Sequence, residues 1–191
     1  IFFKFREEMI SSWEHSQGVS WRLKPLLETY ANAQVKRRAE QRKVSFRLVL
    51  LHTFAHILIN SLTFECGYSA AALRERVFAS DDPEKPMAGV LIYTAAGDAD
   101  GSMGGLVRMG KPGLLEPVMI SALENAGWCS VDPICMEVGA TAGQGPDSCN
   151  LAACHNCALV PETSCELFNK LLDRAALIGA LGSEPKGFFS S

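Results

Sequence analysis

Six of the seven cysteines fall after position 128. Two of them form the stretch CHNC, Cys154 to Cys157, inside LAACHNCALVPETSC. Two thiolates with two residues between them can grip one metal ion through a tight turn, and a second pair closes a tetrahedral site. Cys129 and Cys135, in WCSVDPIC, are the first candidates for that pair, with Asp132-Pro133 supplying a turn between them. Cys149 and Cys165 stand in reserve, and Cys149-x4-Cys154-x2-Cys157 also makes a three-ligand run. Thiolate-only sites of this kind usually hold zinc as a closed structural clip. Such a clip stabilises folding by roughly 10 kcal/mol or more, because the unfolded chain lacks the site. A redox CxxC is the weaker reading, since Cys154 does not follow a strand in a βαβ pattern. The cysteines could also hold an iron–sulfur cluster or pack as free thiols in the core. Cys66 lies far off, at a helix end, and reads as core.

Other residues could also do chemistry. His52 and His56 place two imidazoles one helical turn apart, the HxxxH geometry of zinc proteases. The glutamate that would act as general base is missing, because position 53 is Thr. Hydrogen-bonded internal histidines are the simpler reading. Asp98 and Asp100, in YTAAGDADGSMGG, sit in a Gly-rich turn after an apolar run. They could meet a divalent ion, yet turn chemistry explains them equally well. That turn lacks a register GxGxxG and the lysine of a phosphate loop. Lys36, Arg37, Arg38, Arg42 and Lys43 form a basic run that could track nucleic-acid phosphates or simply face solvent.

These residues need elements to position them. Ile1 to Glu14 reads as an edge strand running into a helix, and Leu23 to Lys43 as a polar helix. Ser45 to Cys66 is apolar nearly all round, so it predicts a buried helix rather than a membrane span, with Gly67 as its left-handed cap. The stretch AAALRERVF predicts a short helix capped by Ser69, and Ala88 to Ala95 a buried strand. Pro117 to Ala126 predicts a helix stopped at Gly127. The form Thr163-Ser164-Cys165-Glu166 predicts a capping box opening a helix with Leu167, Leu171, Leu172 and Ala175 on one side. The fold class expected is α/β of the α+β kind, mostly helical, with a small sheet and a Cys-rich loop region stapled by zinc.

A chain of 191 residues, 48% hydrophobic and 20% charged, can bury a sizeable core. The net charge of −3 hides an asymmetry. Residues 1–50 carry ten Lys/Arg against five Asp/Glu, and the remainder eight against sixteen. A basic arm on an acidic body suggests a polyanion or an acidic partner. The opening IFFKFREEM meets charge within four residues and does not read as a signal peptide. The expectation is a cytoplasmic, reducing location, where paired cysteines favour metal over disulfides. The start at Ile1 suggests a piece of a larger parent.

Four separated stretches are familiar in combination: LHTFAHILINSLTFECGYSAAALRERVF, AGVLIYTAAGDADGSMGGLV, ALENAGWCSVDPIC and LAACHNCALVPETSCELFNKLLDRA. Together they resemble the zinc-binding C-terminal domain of Mrf-type repair helicases and of DrmB, the helicase-associated protein of the DISARM anti-phage system. The form CHxC…PETSCE with a trailing LDRA is closest to the DrmB branch. The resemblance covers residues 45 to 180 and implies a four-cysteine zinc site at Cys129, Cys135, Cys154 and Cys157. The helicase branch has a tighter run that would map onto Cys149, Cys154 and Cys157, which leaves the choice between Cys135 and Cys149 open. Three regions are expected: a basic helical segment at 1–44, a zinc-binding domain at 45–182 and a flexible tail at 183–191. The resemblance also implies a superfamily-2 helicase partner and DNA. No helicase motif is legible here, so any ATP hydrolysis is expected in a partner or in the rest of the parent. The expectation is a non-catalytic module supporting complex assembly and DNA binding. Its rivals are a DNA-processing hydrolase or nuclease using His52, His56, Asp98 and Asp100, and a pure protein–protein adaptor.

Overall fold

The computed structural model describes residues 1–69, 71–95, 104–180 and 186–190. Along the chain run β1 (Phe2–Lys4), α1 (Glu7–Glu14), α2 (Gln17–Lys36), α3 (Phe46–Cys66), β2 (Leu73–Ser80) and β3 (Met87–Thr94). They are followed by α4 (Gly104–Met109), α5 (Leu115–Ala126), α6 (Ile134–Thr141) and α7 (Arg174–Ile178), with 3-10 turns at Pro146–Ser148 and Glu162–Ser164. This is the mixed α+β class expected, mostly helical with one small sheet.

α3 is the axis of the fold. Its run FRLVLLHTFAHILI has apolar residues on every side, so no face can be left to water. By length and composition it could cross a membrane, but 72% of its most apolar stretch is buried inside the protein. It ends at Gly67, whose φ of 68° and ψ of 27° form the left-handed cap. The three-stranded antiparallel sheet, in the order β1-β3-β2, covers one side of α3. α2, α5 and α7 pack against it elsewhere. The first residues of the chain serve as the edge strand, with Phe3 opposite Val90.

Three local expectations are overturned. AAALRERVF is not a helix: Leu73–Ser80 is β2, paired along its whole length with β3. Leu73, Glu75 and Val77 are buried while Arg74 and Arg76 are exposed. That alternation has the period of a strand, and pairing with β3 outweighs the helix propensity of Ala, Leu, Arg and Glu. The helix expected after Thr163 is absent as well. Cys165 has extended φ and ψ of −117° and 128°, and Phe168, Asn169 and Leu171 have positive φ. Glu166 does not close a capping box; its carboxylate takes an Arg76 N–H at 2.6 Å instead. Leu171 and Leu172 are buried as expected, but from an irregular segment whose backbone bonds to Cys149 and Leu151. Finally, α2 starts earlier and ends at Lys36, so most of KRRAEQRK lies outside the helix.

Residues 1–44 share the core with the rest of the chain, through Ile10, Trp13, Val19, Leu23, Leu26 and Tyr30. Near the other end, the Phe188 and Phe189 N–H groups donate to Ala176 and Leu177 carbonyls.

Candidate metal centre

The Cys-rich half gathers four sulfurs. Cys129 follows α5, Cys135 lies in the first turn of α6, and Cys154 and Cys157 share one tight turn in which the Cys157 N–H donates to the Cys154 carbonyl. Sulfur separations are 3.5 Å for Cys129 and Cys154, 3.8 Å for Cys135 and Cys157, and 3.6 Å for Cys154 and Cys157. Four ligands about 2.3 Å from a tetrahedral zinc sit about 3.8 Å apart, so the spacing is that of a metal site. A disulfide would bring two sulfurs to about 2.05 Å, and all seven cysteines are free.

Backbone and side-chain groups orient these sulfurs. The Val131 N–H donates to Cys129 Sγ at 3.5 Å, and the Cys154 N–H to Cys157 Sγ at 3.2 Å. Behind them stands Arg174, fully buried. Its guanidinium donates to the Ala126 carbonyl at 2.7 Å and to Asp132 at 2.9 Å, while Asp132 accepts the Cys129 N–H at 2.8 Å. A fixed cation beside four thiolates offsets part of their charge, and its partner Asp132 sets the turn that presents Cys129. Burial pushes the Cys154 and Cys157 thiols above their usual range. Burial also opposes ionisation of Cys129, but the Val131 N–H and the neighbouring sulfurs outweigh it and lower its pKa. A divalent cation supplies what full deprotonation of such a group needs.

The residue before Arg174 carries the rest of the support. Asp173, with no exposed surface, takes the Arg22 fork at 2.7 and 2.9 Å. It also accepts the Ala152 N–H and caps α7 through the Ala175 N–H. Its own N–H donates to Thr53 Oγ1 of α3 at 3.0 Å. Asp173 thus joins α2, α7 and the strip that leads into CHNC through its carboxylate, and α3 through its backbone N–H. Asn150 and Asn169 do similar work nearby, satisfying backbone groups at Asn169, Leu172 and Val160. These bonds supply partners to backbone groups of a buried irregular segment.

The structure separates the remaining candidate residues. Cys149 is buried but stands apart from the four sulfurs, its Sγ donating to the Asp147 carbonyl. Cys165 joins a different group: His52, His56, Glu75 and Cys165, all buried. Asp98 and Asp100 lie outside the described residues. In the basic run, Lys36, Arg37, Arg38, Arg42 and Lys43 are all exposed. Arg37 meets Asp147 at 2.5 Å and Lys43 meets Asp81 at 2.7 Å. Lys36, Arg38 and Arg42 have no ion-pair partner among the described residues. Arg47 turns inward and forks onto Glu14, so it belongs to the core. Glu75, Asp173 and Arg174 are site residues that the sequence alone does not single out. Glu75 becomes visible when LRERV is taken as a strand with Leu73, Glu75 and Val77 on one face.

Over residues 54–158 the sequence matches the family described as MZB, MrfA Zn-binding domain. The match takes in more than half of the chain and all four clustered cysteines. The chain belongs to the MrfA Zn-binding domain family. It is also 39% identical over 191 residues to the DISARM protein DrmB of Bacillus paralicheniformis, a similarity covering 99% of this chain and 33% of that protein. The chain therefore spans about one third of the length of that relative. The residues of this MrfA Zn-binding domain fit the metal in the family's name. Cys129, Cys135, Cys154 and Cys157 have the donor type and spacing for zinc, with Arg174 and Asp132 behind them. Zinc there would cross-link the loop after α5, the start of α6 and the CHNC turn, and supply no open coordination position.

Proposed function

We propose that the chain is a non-catalytic, zinc-stabilised module of a DISARM-like, helicase-associated anti-phage complex, supporting its assembly and DNA binding. The observation that carries this reading is the four-sulfur cluster in a loop-rich half that has little regular structure of its own. Its four donors leave no place for substrate, which suits a structural rather than a catalytic zinc. The likeness to a DISARM protein supports the defence setting. His52 and His56, which a hydrolase would use, have no exposed surface, so attacking water and substrate have no path to them in this conformation. A superfamily-2 helicase is the expected partner, and ATP hydrolysis would belong to it or to other parts of the parent protein.

The DNA surface assigned is the exposed set Lys36, Arg38 and Arg42, with Arg37 and Lys43 at its margins. The test is fluorescence anisotropy of duplex DNA titrated with the chain across a salt series. Replacing Lys36, Arg38 and Arg42 by Gln is expected to weaken binding and flatten the slope of log affinity against log salt by about 0.9 per lost phosphate contact. Unchanged affinity and slope would assign the chain to protein–protein contacts alone.

A further inference from the structure

A second group of four side chains lies away from the cysteine cluster, in the middle of the core. α3 supplies His52 and His56, one turn apart on one face. β2 supplies Glu75 from its inward face, and the irregular segment after the Glu162–Ser164 turn supplies Cys165. One donor atom from each lies within 4.8 Å of every other, and all four residues are buried. His52 Nε2 is 2.9 Å from Glu75 Oε1 and 3.1 Å from Cys165 Sγ. His56 Nε2 is 3.6 Å from the same carboxylate oxygen.

The orientation of these atoms says more than their distances. Neither oxygen of Glu75 accepts a hydrogen bond among the described residues, although the side chain has no exposed surface. His56 Nε2 is also unpartnered. Its other nitrogen, Nδ1, lies 2.8 Å from the Ala158 carbonyl. A carbonyl can only accept, so Nδ1 carries a proton, and in the neutral ring Nε2 presents a lone pair to the cluster. That is the arrangement in which a histidine ligates a metal. Cys165 Sγ accepts two backbone N–H groups, from Leu167 at 3.3 Å and Asn169 at 3.2 Å. One atom of each side chain faces the same small interior space, where His52 Nε2 also pairs with Cys165 Sγ and lies beside Glu75 Oε1.

Charge supports the same conclusion. A buried carboxylate without hydrogen bonds is costly, and so is a buried thiolate. One divalent cation between them gives a formally neutral unit. We propose that His52, His56, Glu75 and Cys165 form a second, closed metal site for a divalent first-row transition ion, for which zinc best suits two imidazoles, a carboxylate and a thiolate. The site has four protein ligands and no route to solvent, so it is structural. It fastens α3 to β2 and to the segment that follows the zinc-binding turn. It is independent of the four-cysteine centre, shares no residue with it, and includes two residues that lie outside the 54–158 match, His52 and Cys165.

The test is metal stoichiometry on the whole chain, loaded with zinc or cobalt(II), passed through a desalting column and read by mass spectrometry against sulfur. Two equivalents per wild-type chain are expected. In the cobalt form, the visible spectrum should be the sum of a four-thiolate centre and a second centre with one thiolate. Glu75→Gln and His56→Gln are each expected to lose one equivalent and leave the four-thiolate spectrum intact. Cys157→Ser should abolish the four-thiolate part of the spectrum. One equivalent on the wild-type chain, with a purely four-thiolate spectrum, overturns the proposal and leaves the core cluster without metal. That outcome is read on the wild-type chain and needs no variant to fold. A failure of the four-cysteine reading would look different: the surviving spectrum would lack the four-thiolate part.

Discussion

The two ligand clusters are built by opposite routes. In the cysteine centre, Cys154 and Cys157 are three positions apart, and Cys129 lies 25 positions before Cys154. Loops carry three of the ligands, and the first turn of the short helix α6 carries Cys135. The core cluster instead spans 113 positions between His52 and Cys165, and needs α3, β2 and the late irregular segment already in place. The first can organise a region that would not otherwise fold. The second can form only after folding has brought its parts together. A ligand set in loops creates structure, whereas a ligand set on a helix and a strand reports it.

Breaking the cysteine centre should therefore have the larger effect. Cys157→Ser, which leaves three ligands, is expected to remove the stabilisation of a structural zinc, roughly 10 kcal/mol. Since a domain has only about 5–15 kcal/mol in total, residues 128–180 should unfold. Amide exchange would show protection lost there first, with α3 and β3 the last to open.

The link between the two regions comes next. Asp173→Ala strands Arg22 as a buried cation and leaves the Ala152 N–H and the start of α7 without an acceptor. Removing one partner of such a pair costs about 3–5 kcal/mol. Urea unfolding should show that loss. The double change Arg22→Met with Asp173→Leu should recover part of it. No recovery would mean that Asp173 acts through the backbone groups it accepts from rather than through the ion pair.

The smallest expected effect is at Gly67. An added Cβ would meet nothing within 4 Å, so the cost of Gly67→Ala is conformational alone. A φ of +68° should make it about 1 kcal/mol. Thermal unfolding should shift by a few degrees while the metal content of both clusters stays unchanged. A loss of metal would show that the end of α3 is mechanically coupled to His52 and His56, and would blur the distinction between a cluster that creates structure and one that reports it.

Much of the fold is legible in the sequence. α3, its glycine cap, α5 and β3 follow from local periodicity and capping residues, which are local signals. The cysteine pair in CHNC is readable for the same reason. β2 is hidden because Ala, Leu, Arg and Glu favour helix, and only the partner strand decides otherwise. The helix expectation also conceals Glu75, since a helix puts it beside Arg76 on a wet surface and a strand turns it inward. The segment 165–172 misleads for a related reason. Its leucines are buried at near-helical spacing, but Asn150, Asn169 and Asp173 hold the backbone in a shape that no local pattern announces. Arg174 and Asp173 look like an ordinary charged pair in LDRA, and their roles come from partners up to 151 positions away.

The contact between residues 1–5 and the segment around Phe188 bears on the order of events during synthesis. Phe5, just after the edge strand, packs on Phe188 with ring centres 5.9 Å apart, and the Ile1 amino group bonds to the Ile92 carbonyl at 2.7 Å. A ribosome adding about 5–20 residues per second needs roughly ten to forty seconds to travel from one phenylalanine to the other. Through that interval the phenylalanine-lined face of the nascent chain has no cover of its own. Closing this face thus waits for the segment around Phe188 to emerge from the exit tunnel, and in that window a chaperone or an assembly partner can claim it.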